Sequence, residues 1–182
     1  MESDRECLDA LARGEREALV PLMERHYQRL FRVALAYVRT EEEALEVVQD
    51  AFVKAWRGAA RWDPAGEPAH WLTRIAVNCA IDRYRRQRRR RAREEPLPEH
   101  ADHDARWVSA GGGADLPLRE REVRERLDRA LLDLPARQRA VFVLRHYDER
   151  SLDEIARVLG LRLGTVKSTL HRAVTRLREA LA

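Results

Sequence analysis

Residues 151–168, SLDEIARVLGLRLGTVKS, combine the types and spacing best suited to contact another molecule. Ser151 and Glu154 stand at capping-box spacing, so a helix is expected to begin there. Gly160 falls where that short helix must turn, a position that favours a left-handed backbone. A second helix from about 163 then completes a helix-turn-helix. On it Val166, Leu170, Ala173 and Leu177 share one stripe and are expected to face a core. Gly164, Lys167, Ser168, His171, Arg172 and Thr175 point the other way. A small, polar, basic face suits the major groove, where base edges are read by side-chain donors. The same pattern also fits a plain helical hairpin with a solvated face. The cap, the turn and the face together favour DNA.

Three other groupings have chemical potential. Along 69–90, Trp71, Arg74, Asn78, Asp82 and Arg85 fall on one side of a helix, beside an apolar stripe of Leu72, Ile75, Ala76 and Cys79. The polar side runs into Arg83, Arg85 and Arg86 and the rest of an arginine block. Aromatics beside arginines suit single-stranded or melted DNA, since bases stack on rings while guanidiniums neutralise phosphates. An ordinary amphipathic helix whose Trp62 and Trp71 close a core is the plainer reading. Glu42, Glu46 and Asp50 form a carboxylate row at i, i+4 and i+8, which could hold a divalent metal as in two-metal nucleases. An acidic docking face is preferred, because no histidine joins them at di-iron spacing. His100 and His103 lack the cysteine partners of a zinc site. There is no phosphate-binding glycine loop and no nucleophile elbow. No enzyme, cofactor or metal is expected.

The elements that must position these residues read as helices. Before residue 94 they are expected at about 4–13, 15–38, 41–57 and 69–90, from apolar spacings of three, four and seven. Pro64, Gly66 and Pro68 make a loop between the last two. Further helices are expected at about 119–133, 136–147, 152–158 and 163–180, with Pro135 ending the first of these. Residues 94–118 carry three prolines, three successive glycines and no apolar period, so they read as a flexible linker. The expected fold class is all-α: two small helical domains, 1–93 and 119–182, joined by an acidic linker, the second containing the helix-turn-helix.

Composition agrees. Of 182 residues, 36% are charged, 45% hydrophobic and only 6% aromatic. The net charge of +4 is unevenly spread. Residues 83–93 hold eight arginines and no acid, whereas 94–118 hold six acids and one arginine. Charge in alternating blocks suggests several partners, nucleic acid first. No apolar run approaches the roughly 18–20 residues of a membrane span, and the N-terminus is acidic where a secretory signal is basic. Two cysteines exclude a disulfide framework and fit a reducing cytoplasm. Cys79 reads as a packed core thiol and Cys7 as incidental.

Two runs carry a family resemblance. One is residues 44–56, ALEVVQDAFVKAW, followed by WLTRIAVN at 71–78 and Asp82-Arg83; the other is LPARQRAVF at 134–142 followed by Glu154-Ile155-Ala156 and GTVKS at 164–168. In this order the chain resembles a bacterial RNA polymerase sigma factor of the extracytoplasmic-function (ECF) class. The resemblance implies a factor that binds core RNA polymerase, directs it to promoters and helps melt the −10 element. It places Gln49, Asp50, Phe52 and Trp56 on the core-polymerase-binding helix. It places Trp62, Trp71, Asn78, Arg83, Arg85 and Arg86 at the −10 element, with the loop 57–68 receiving a flipped base. Lys167, Ser168, His171 and Arg172 fall at positions that contact the −35 duplex. A separate anti-sigma factor is a further implied partner. The chain departs from the pattern at Pro68-Ala69-His70, where a phenylalanine is frequent, at Arg162, where a hydroxyl residue usually caps the recognition helix, and at Thr169, where arginine is common. A stand-alone dimeric regulator and a metal-dependent nuclease are the competing readings, and neither needs the helix at 49–56.

Overall fold

The computed structural model describes residues 3–38, 40–91 and 118–182, and every regular element among them is helical. The N-terminal half holds α1 (Asp4–Ala12), α2 (Leu19–Leu35), α3 (Glu41–Gly58) and α4 (Pro68–Arg91). The C-terminal half holds α5 (Leu118–Asp133), α6 (Ala136–His146), α7 (Leu152–Leu159) and α8 (Leu163–Leu181). The expected linker lies outside the described residues, apart from Leu118, and so do His100 and His103.

Local chemistry accounts for most of the boundaries. α1 opens on a capping box between Ser3 and Glu6, and Thr40 caps α3 by accepting from the Glu43 amide at 3.2 Å. Glu41, Glu42 and Glu43 then occupy the first turn of α3, where the helix dipole favours negative charge. Pro68 opens α4, a position where its missing N–H costs nothing. The helix expected over 15–38 is divided: a 3₁₀ turn, Arg16–Ala18, precedes α2, and the chain leaves the helix at Ala36 to bury Tyr37 and Val38.

The two helical domains expected from the sequence are both present, and they pack on each other: one apolar core includes residues of both. Leu30, Val33, Tyr37, Val47, Val48, Phe52 and Val77 of the first half are continuous with Val141, Val143, Leu144, Ile155, Val158 and Val166 of the second. α6 explains this, because its buried residues include Arg139, Ala140, Val141, Val143 and Leu144 and so go around the helix. A helix buried all round needs cover on more than one side. α8 and α7 pack on α6, α4 of the first half packs on α7, and Arg139 of α6 meets the Tyr37 and Tyr84 rings of the first half.

At the centre of this junction lies Arg139, 0% exposed. Its guanidinium carbon sits 4.0 Å from the centroid of the Tyr84 ring and 5.7 Å from that of Tyr37. One nitrogen donates to the Leu132 carbonyl and, at 3.4 Å, to that of Leu134; Nε and Nη1 find no acceptor. At the other end of the junction Arg29 forks onto Asp148, with Nε to Oδ1 at 2.5 Å and Nη2 to Oδ2 at 3.0 Å. Arg150 closes on the same carboxylate at 2.9 Å and reaches Thr73 of α4 at 3.3 Å. Burial pushes the Asp148 carboxyl up from the ordinary range, against the opposing pull of Arg29.

Candidate nucleic-acid and polymerase interfaces

α7 and α8 form the helix-turn-helix expected from the sequence. Ser151 Oγ accepts from the Glu154 amide at 3.3 Å, and the Glu154 carboxylate accepts from the Ser151 amide at 2.9 Å. These contacts hold the Glu154 carboxyl below its usual value, the Ser151 hydroxyl first and its amide next. Gly160 adopts φ 63° and ψ 38°, the left-handed conformation that ends α7 and turns the chain into α8.

The outer face of α8 holds Gly164, Lys167, Ser168, His171, Arg172 and Thr175, all exposed. Val166, Ala173 and Leu177 are buried, and Leu170 packs against the core that holds Val166. Ser168 and Thr175 donate back to carbonyls one turn earlier, at 3.1 and 3.0 Å, so their oxygens remain available as acceptors outward. Arg172 lies along the helix with Nε 3.3 Å from the Ser168 carbonyl, holding its guanidinium beside the face. Arg162 is the N-cap and makes no side-chain cap bond, so the first α8 amides stay open. An open helix N-terminus beside Lys167 suits a phosphate. Gly164 adds no side chain there, and a Cβ would meet nothing within 4 Å, leaving room for a nucleic-acid backbone. Thr169, where the family pattern often has arginine, lies on the core side of this helix. It is buried with its hydroxyl unpaired, one turn from Val166 on the core side, and so cannot stand in for a surface arginine.

On α4, Arg74, Asn78, Asp82, Arg85 and Arg86 are exposed along one side, as the spacing predicts. Trp71 is half-buried against Gly58. Two expected contacts change character. Trp62 is buried in a second apolar cluster with Leu8, Leu22 and Leu72, and its indole N–H has no acceptor, so it props the loop from beneath. Arg83 turns back to pair with Glu46 of α3. Arg5, which no local spacing singles out, braces the loop after Trp62. It sits 5.8 Å over the Trp62 ring and donates to the carbonyls of Pro64 and Gly66.

On α3, Gln49 and Asp50 are exposed and Trp56 is half-buried, with the Arg16 guanidinium 5.1 Å over its ring. Phe52 is a core residue, because its position shares the buried stripe of Val48 and Ala55. Leu45 and Val53 instead are 38% and 40% exposed beside Gln49. Their signal was present in the sequence as apolar residues at polar positions of the helical period. The carboxylate row does not gather: Glu46 is engaged by Arg83, and among the described residues no three metal-ligating side chains cluster. Both cysteines are buried without a disulfide. Cys7 Sγ lies 3.3 Å from the Arg25 guanidinium, and burial pushes the Cys79 thiol up.

The sigma-70 region 2 family matches residues 22–90, and sigma-70 region 4 matches residues 124–177. The ECF RNA polymerase sigma factor SigM of Mycobacterium tuberculosis is 36% identical over 98% of this chain and 85% of its own. The chain is an ECF sigma factor. SigW of Bacillus subtilis is 27% identical, covering 93% of this chain and 91% of its own. Among solved structures, CnrH in complex with the cytosolic domain of CnrY superposes with a TM-score of 0.69 at 27% identity, covering 99% of this chain and 97% of that one. The sigma factor RpoE of Bartonella quintana, solved with the anti-sigma factor NepR, gives 0.62 at 25% identity over 88% and 94%. As an ECF sigma factor the chain directs RNA polymerase to specific promoters to initiate transcription. Its relatives are regulatory initiation factors. No helix among the described residues is long and apolar enough to cross a membrane.

Proposed function

We propose that the three exposed faces divide the work of this sigma factor as follows. Residues 1–93 form the unit for core polymerase and the −10 element, 94–118 connect, and 119–182 form the −35 unit. Gln49, Asp50 and Trp56, joined by Leu45 and Val53, dock α3 on the polymerase. Trp71, Asn78, Arg85 and Arg86 hold melted −10 bases and their phosphates, which makes the open strand cheaper to populate. Lys167, Ser168, His171 and Arg172 read the −35 duplex, with the amides at the start of α8 on a phosphate. The chain makes and breaks no bonds; the polymerase supplies catalysis. It acts in the cytoplasm with that enzyme and without a cofactor. An anti-sigma factor holds it inactive, as the solved complexes of CnrH and RpoE suggest by analogy.

The observation that carries this reading is the exposure of a small, basic, unobstructed face on α8, together with an apolar-and-polar face on α3. Run-off transcription with core polymerase, on a fragment from upstream of the chain's own gene, tests it. Discrete new transcripts are expected from the wild type and none from Trp56→Ala. No transcript and no polymerase binding would sink the assignment. Co-purification from the native host without a partner protein would remove the anti-sigma factor.

A further inference from the structure

The row of polar groups on α4 begins beside a loop whose place is set from far away in the sequence. Trp71 stands in the first turn of α4, and a Cβ on Gly58 would meet its Cζ2 at 3.6 Å, so the segment 59–67 closes beside the indole. A base stacked on Trp71 therefore lies against this segment. Asp63, Pro64, Ala65 and Glu67 are exposed on it, while Trp62 is buried beneath. Within the loop the Ala65 amide donates to Asp63 Oδ1 at 3.0 Å, and the Gly66 amide donates to the Asp63 carbonyl at 2.8 Å. Asp63 belongs to the same turn, so these bonds fix the turn's shape but not its place.

Arg5 fixes its place. It donates to the carbonyls of Pro64 and, at 3.0 Å, Gly66, and its guanidinium lies 5.8 Å over the Trp62 ring. A guanidinium offers several donors in one rigid plane and stacks on aromatic faces, which lets a single side chain span two carbonyls and a ring. Arg5 is itself anchored by its neighbours on α1. Asp4 pairs with Arg25 at 2.7 Å and with His26 at 2.6 Å, both on α2. Cys7, Leu8 and Leu11 are buried in one cluster with Trp62 and Leu72. α1 precedes residues 22–90, so the brace comes from outside the segment matched by region 2.

We infer that Arg5 is a positioning residue for promoter reading: by holding the Pro64 and Gly66 carbonyls it fixes the loop beside Trp71 and so sets which base that pocket of the −10 face accepts. A loop placed before the strand arrives loses less freedom on binding, and the wrong base cannot be met by a loop that shifts to suit it. That the strand is −10 DNA rests on the assignment above; that Arg5 places the loop rests on the contacts.

Promoter fragments carrying each base in turn at the −10 and −35 positions, transcribed by core polymerase with the full chain, give a preference ratio at every position. Such a ratio does not depend on how much of a variant is folded, so a merely structural loss leaves it unchanged. The wild type should favour its best −10 base about tenfold. Arg5→Met should cut that ratio to about threefold or less at one −10 position and leave the −35 ratios unaltered. Arg5→Lys keeps the charge but cannot span both carbonyls, and should behave as Arg5→Met does. Hydrogen exchange in the free chain should be several-fold faster over residues 62–67 in both variants and unchanged over α7 and α8. Unaltered −10 ratios in Arg5→Met overturn the positioning role. Full recovery in Arg5→Lys overturns it too, and assigns Arg5 to a phosphate. Unaltered exchange over 62–67 overturns the brace. If the wild type shows no −10 preference, the −10 assignment fails and takes the base-setting role with it, and the exchange rates decide the brace alone.

Discussion

Replacing Gly160 with alanine isolates one term in the positioning of α8. Gly160 has φ 63°, and a Cβ there would meet nothing within 4 Å, so the substitution adds no clash. Its cost is the left-handed backbone alone, about 1–2 kcal/mol for an L side chain. Restricting the unfolded chain returns about 0.4–1 kcal/mol. The net loss is about 1 kcal/mol. How far the melting temperature moves then depends on how much of the chain unfolds together. For a unit of 150 residues or more, 1 kcal/mol corresponds to about 2–4 °C, and for a 65-residue half to about 4–8 °C. The core shared between α3, α4, α6 and α8 makes the chain one unit, so a single transition lowered by about 2–4 °C is expected. Calorimetry with circular dichroism at the helix band measures it, and Gly160→Asn, which tolerates this conformation better, should lose less. An unchanged Gly160→Ala melt would refute the backbone argument. Two transitions, with only one shifted by the larger amount, would refute the shared core.

Ser151→Ala should cost about 1 kcal/mol through the lost cap. Because Ser151 holds the Glu154 carboxyl below its unfolded value of 4.5, this contribution is complete above that pH and fades as the pH falls through the lower folded value. Denaturant titrations of the two chains should therefore converge in acid, and a constant gap would contradict the link. Arg172→Ala and Lys167→Ala should each reduce the slope of log affinity against log salt for a −35 duplex by about 0.9 if they meet a phosphate. Fluorescence anisotropy across a salt series reads this, and an unaltered slope places the residue off the backbone. Leu45→Glu with Val53→Glu should leave stability within about 0.5 kcal/mol while weakening polymerase binding at least tenfold. Phe52→Ala, by contrast, should cost about 3–5 kcal/mol of stability. Chemical denaturation beside a polymerase pull-down separates the two cases, and a destabilised Leu45/Val53 pair would mean those residues belong to the core.

Much of the architecture was legible from neighbours a few residues apart. Ser151, Glu154 and Gly160 act within one or two turns, so a reader of the chain finds α7 and the start of α8 within about a residue. The 3.6-residue period then assigns Lys167, Ser168, His171 and Arg172 to the outside, and the structure leaves all four exposed. The family resemblance, and not the period, linked Phe52, Trp62 and Thr169 to surface positions, and the structure buries all three. Whether a side chain at the margin of an apolar stripe is covered depends on what packs above it, and no local spacing records that.

Helix content, the all-α class, the helix-turn-helix and the exposed basic face of α8 were determined by the sequence alone, because capping, turning and amphipathic period are short-range. The union of the halves was decided by the tertiary structure. Arg29 and Asp148 are 119 residues apart, Arg150 and Thr73 are 77 apart, and Arg5 and Gly66 are 61 apart. Among so many arginines, each carboxylate and carbonyl has many equivalent partners in the sequence. Only the folded chain, by bringing one of them within hydrogen-bonding distance and excluding water, selects which pair forms.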